Sequence, residues 1–79
     1  MATEPPGVAV AGSEVRRLRK LSGDNLEAFA AKVDVSLQYV SQLELGVRTS
    51  CSPRVFASIC DVLGIEKDKR HRLVRKDAA

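Results

Sequence analysis

The stretch FAAKVDVSLQYVSQLELG, Phe29 to Gly46, constrains the fold most. It reads as a short helix, a polar corner at Asp34, and a second short helix stopped by Gly46. Two short helices joined this closely cannot bury their apolar faces on each other alone. Neighbouring segments must hold the pair at a fixed angle, and a chain of 79 residues has room for one small core in which to do so.

Those segments are legible in order. Residues 1–11, MATEPPGVAVA, hold two prolines, a glycine and no regular period, so a flexible arm is expected. Ser13 as N-cap and Glu14 in the first turn open a helix over residues 14–21. It turns Val15, Leu18 and one of Leu21 or Ser22 inward, with Arg16, Arg17, Arg19 and Lys20 on its flanks. Asp24 or Asn25 caps the second helix, and the capping-box spacing to Glu27 favours Asp24. Leu26, Phe29, Ala30 and Val33 form its apolar face. Asp34 takes the left-handed position at the corner.

Ser36 caps the third helix, which buries Val40, Leu43 and one of Leu37 or Tyr39. Residues 47–51 are expected to be loop. Ser52-Pro53 starts a fourth helix that ends at Leu63, before Gly64. Ile65 packs back, and residues 67–75 form a short basic helix anchored by Leu73 and Val74. The expectation is an all-α, compact bundle of four to five short helices, without strands. Its parts are an arm over 1–11, a helix-turn-helix unit over 12–65, and a basic helix and tail over 66–79.

Composition narrows the function. Hydrophobic residues make up 44% of the chain, which rules out a disordered composition. No apolar run is long enough for a membrane span and no secretory signal is legible, so a cytoplasmic protein is expected. Cys51 and Cys60 with His71 cannot assemble a zinc cluster, and Cys60 sits in an apolar helical pattern that disfavours a disulfide. Paired carboxylates, an activated nucleophile and a phosphate-cradling glycine loop are all missing, so neither an enzyme nor a cofactor is expected. The net charge of +3 is too mild to argue for nucleic acid. The clusters at Arg16–Lys20 and Lys67–Lys76 say more, although such clusters are often only solvated surface.

A helix-turn-helix presents the outer side of its second helix to the major groove. Here that side carries Gln38, Ser41 and Gln42, which can hydrogen-bond base edges, and Leu37, which can meet a thymine methyl. VRRLR (Val15 to Arg19), the stretch from Phe29 to Gly46 and the Ser-Pro-led helix ending in CDVLGI resemble the Cro/C1-type (Xre-like) helix-turn-helix domain of bacterial and phage regulators. The resemblance covers about residues 12–65 and implies a lambda repressor-like fold. It implies base contacts by Leu37, Gln38, Ser41 and Gln42. Backbone contacts are implied for Arg16, Arg19, Asn25, Ser36, Tyr39, Arg48 and Thr49. Glu44 matches an acidic scaffold residue, with Arg19 as a candidate partner.

The implied partner is double-stranded DNA, bound as a homodimer that forms beforehand or only on the operator. Three positions depart from the family pattern. Asn25-Leu26 stands where Thr-Gln is common, Asp34 replaces the usual corner glycine, and the loop before the fourth helix is about one residue longer. A second reading uses the same bundle as a protein-interaction module for another regulator, a sigma factor or a toxin, with Leu26, Leu37 and Tyr39 exposed together. An apolar face ringed by Asp24, Asp34 and Asp61 would favour that reading.

Overall fold

Residues 7–75 are described by the computed structural model. In order they form β1 (Val8–Ala9), α1 (Gly12–Ser22), α2 (Leu26–Val33), α3 (Leu37–Leu45), β2 (Ser50–Cys51), α4 (Pro53–Leu63) and a 3-10 helix, Lys67–Leu73. The fold is the expected all-α bundle, with five short helices where four to five were expected. Local chemistry sets most of the boundaries. Ser36 Oγ accepts from Tyr39 N at 3.0 Å, and Ser52 Oγ accepts from Val55 N at 3.2 Å with Pro53 in the first turn behind it. Asp34 adopts φ 66° and Gly46 φ 81°, which end α2 and α3. The Asp34 N–H turns back to the carbonyls of Ala30 and Ala31.

The core is built from Val15, Phe29, Ala30, Val33, Val40, Leu43, Ile59, Cys60 and Leu73, all buried. Helix α3 packs against both α1 and α2, and α2 also packs on α4. Its inner side is therefore held from two directions. The approach of α1 is close enough to need a residue without a side chain. A Cβ on Gly12 would overlap the Leu43 carbonyl oxygen, with the Leu43 carbonyl carbon at 2.9 Å and Glu44 Cα at 3.2 Å.

Several expectations are corrected. The segment 8–11 is no free arm. Val8 pairs with Cys51 and Ala9 with Ser50 in an antiparallel ladder, and Val10 is buried. Val10 N donates to Thr49 O, Ala11 N to Leu73 O, and Arg75 N to Ala9 O. A two-residue strand has no period to read, so its backbone bonds are invisible in sequence. The ladder claims the end of the expected 47–51 loop. The remainder of the arm, residues 1–6, and the tail beyond 75 lie outside the described residues.

Helix α1 starts at Gly12 with Ala11 as N-cap and no side-chain cap, so Ser13 lies inside the first turn. Leu21 points outward and is exposed. Asn25, not Asp24, caps α2, its Oδ1 accepting from Ala28 N at 2.8 Å. Asp24 is instead engaged by Lys32 at 3.0 Å. The 3-10 helix buries Leu73 within the core, so the packed unit extends past residue 65. Cys51 and Cys60 are free thiols, both buried; burial pushes the Cys51 thiol up to about 11, which leaves it protonated and unreactive near neutral pH.

Candidate nucleic-acid interface

Helix α3 divides into two sides with opposite properties. On the inner side Val40 and Leu43 are buried, and the Glu44 side chain joins them at 4% exposure. Glu44 is balanced by Arg19 from α1. Arg19 Nε donates to one carboxylate oxygen at 2.7 Å and its Nη2 to the other at 3.1 Å. The third nitrogen, Nη1, donates to the Asp24 carbonyl at 2.9 Å. Each of the three guanidinium nitrogens thus donates a hydrogen bond inside the protein. The hydrogen bonds that Arg19 donates to Glu44 hold the Arg19 pKa above its ordinary value, against the opposing effect of burial. This bidentate pair ties α1, the α1–α2 turn and α3 together.

Arg19 therefore leaves the set of expected DNA-backbone contacts. Its side chain is 8% exposed and each of its three nitrogens already donates inside the protein, which withdraws it from the surface. Its role is to position α3. The sequence named this partner; what the structure adds is burial, so that breaking the pair leaves an uncompensated charge.

The outer side carries Leu37, Gln38, Ser41 and Gln42. Leu37 and Gln38 are exposed and the other two are half-buried. Among the described residues no side-chain hydrogen bond occupies Gln38, Ser41 or Gln42. Their amides and hydroxyl are supplied ready for an outside partner.

Tyr39 and Arg48 form the edge of this face. The Arg48 guanidinium stacks over the Tyr39 ring at 4.4 Å, and Arg48 N donates to Gln42 O at 3.0 Å. A loop cation is thereby fixed beside α3. Burial, chiefly, pushes the Tyr39 phenol above its usual pKa, so it keeps its proton. Thr49 is exposed and its carbonyl is held by Val10 N. The structure thus brings Arg48 onto Tyr39 of α3.

Ser36 and Asn25 are exposed, and both side-chain oxygens already serve as helix caps. Arg16 is exposed on α1 with no hydrogen bond or ion pair among the described residues. Arg54, in the first turn of α4, is an exposed cation that sequence reasoning passed over. Its place beside the Ser-Pro helix start was the available signal. No group of three or more metal-ligating side chains occurs among the described residues, and no described helix is long and apolar enough to cross a membrane.

A family of helix-turn-helix domains matches residues 11–73, most of the chain. The chain belongs to the Cro/C1-type (Xre-like) helix-turn-helix DNA-binding domain family. Among solved structures it is similar to the N-terminal DNA binding domain of SinR from Bacillus subtilis. The TM-score is 0.70 at 25% identity, covering 85% of this chain and 94% of that one. It is also similar to SinR, the master regulator for biofilm formation, in its crystal structure in complex with DNA. There the TM-score is 0.68 at 25% identity, over 75% of this chain and 94% of the other. No curated protein sequence matches.

Proposed function

We propose that this protein is a sequence-specific transcriptional regulator that lays α3 along the major groove of double-stranded DNA. The observation that carries the reading is the contrast within α3. Its inner side is locked by the Arg19–Glu44 pair and the core, while the hydrogen-bonding groups of Gln38, Ser41 and Gln42 have no protein partner among the described residues. In this reading Gln38 and Gln42 address adenine edges, Ser41 bonds either kind of base, and Leu37 meets a thymine methyl. Arg48, held on Tyr39, contacts phosphate, with Arg16, Asn25, Ser36 and Thr49 as further backbone contacts.

One recognition helix reads too few base pairs to be selective, so the protein acts as a homodimer on a two-fold operator, assembled before or upon binding. It works in the cytoplasm, on the nucleoid. The interaction-module reading has less support. Asp24 and Asp61, two of the carboxylates that would ring an apolar face, are paired with Lys32 and Arg70. Leu26 and Tyr39 are half-buried against the core rather than displayed with Leu37.

The test is a titration against a random duplex library at two salt concentrations, repeated with Gln38→Ala and Gln42→Ala. Loss of the preferred sequence with retention of salt-sensitive, non-specific binding is the expected result. Absence of any binding at low salt would sink the proposal.

A further inference from the structure

Leu45 takes no part in the core. It closes α3, is 70% exposed, and lies beyond every residue so far assigned to the outer face. Its direction follows from helix geometry. Leu45 is seven residues after Gln38, which at 3.6 residues per turn places the two within about 20° of each other around the axis. The buried residues Val40 and Leu43 point the opposite way. Leu45 therefore stands near the middle of the exposed arc, in line with Gln38 and about 10 Å further along the helix. Leu37, 46% exposed, stands at the other end of α3, about 80° around the axis from Leu45 and so at the edge of the same arc. The outer side runs apolar, amide, hydroxyl, amide, apolar.

Leu21 and Val47 are equally exposed, so exposure alone assigns nothing; what singles out Leu45 is its place in line with the hydrogen-bonding groups of α3. The major groove offers an apolar target on its floor, the C5-methyl of thymine. Leu37 and Leu45 are separated by about 12 Å along the axis, the span of three to four base pairs at about 3.4 Å each. We propose that Leu45 is a second methyl-reading, specificity-determining residue, so that α3 reads a half-site with thymine methyls at both ends and amide-read bases between them. This rests on α3 being the recognition helix, and it requires α3 to lie along the groove rather than enter it end-on.

The experiment selects preferred sites from a random duplex library with the wild-type protein, with Leu45→Ala and with Leu37→Ala. Each thymine of the wild-type site is then replaced singly by deoxyuridine, which removes the methyl and leaves the protein untouched. Two sensitive thymines are expected, three to four base pairs apart, each losing about fourfold in affinity. Leu45→Ala abolishes the sensitivity at one of them and Leu37→Ala at the other.

The proposal is overturned if the selected site has no second thymine at that distance, or if Leu45→Ala responds to deoxyuridine as the wild type does. It is also overturned if Leu45→Ala weakens self-association and leaves base preference intact, which would assign the side chain to a protein contact. A wild-type protein with no base preference at all would remove the recognition-helix reading itself, a result distinct from the others.

Discussion

The two sides of α3 are made from similar residues and have opposite fates. Glu44 and Leu43 on the inner side are packed, paired and nearly inaccessible. Gln38 and Leu45 on the outer side face solvent. The difference comes from what lies opposite. Gly12 lets α1 approach the α3 backbone, and Arg19 then meets Glu44 away from water. On the outer side no element of the described residues covers Gln38 or Leu45. The reading head proposed for α3 needs both conditions, a rigid back to fix its angle and a front whose polar groups are still unspent.

The comparison can be broken most forcefully at Glu44. Glu44→Ala leaves the Arg19 guanidinium buried without its counter-charge and is expected to cost about 3–5 kcal/mol. That is a large part of the total stability of a domain this size, about 4–12 kcal/mol. Urea unfolding measures it, and a loss below about 1 kcal/mol would show that the pair is not the lock described here. Gly12→Ala comes next. Its Cβ must push α1 away from Leu43 and Glu44, at about 1–3 kcal/mol. A fully stable Gly12→Ala protein would mean that the helices separate without penalty.

On the outer side the expected signs differ. Gln38→Ala should leave stability within about 0.5 kcal/mol of wild type and reduce discrimination at one base pair by about 1–3 kcal/mol. Destabilisation without a change in base preference would move Gln38 to the structural side. At the corner, Asp34→Gly relieves a positive φ and is expected to stabilise by less than about 1 kcal/mol, since glycine also loosens the unfolded chain. A drop in the thermal midpoint would assign Asp34 a contact that its geometry does not disclose. The smallest effect is expected for Arg17→Ala. Arg17 pairs with Glu14 at 2.8 Å on the open surface of α1, two positions from Arg19. No shift in the urea midpoint should be seen.

Much of the fold was legible because its signals are local. Ser36, Ser52-Pro53, Asp34 and Gly46 each act on the backbone within a few residues, so their chemistry fixes helix ends wherever the chain goes. The choice between Asp24 and Asn25 was harder, because both have capping chemistry. It was settled from outside the motif, by Lys32 drawing the Asp24 carboxylate and Arg19 taking its carbonyl. The β1–β2 ladder left no trace in the sequence, since two residues pair through backbone groups that every residue carries. In the candidate site, the hydrogen-bonding residues of α3 could be named from helical spacing. The cation–π seat of Arg48 on Tyr39 could not, because the loop path between them is not periodic.

The sequence by itself determined the all-α class with four to five helices, most of their ends, and the residues that α3 turns away from the core. Period and capping suffice for that, because both act over one or two turns. Tertiary structure decided which charges are spent and which remain. Arg17 and Arg19 are the same residue on the same helix, each with a glutamate partner, and only the approach of α3 buries one of them. The same packing left Leu45 uncovered, because solvent exposure depends on what the rest of the chain fails to reach.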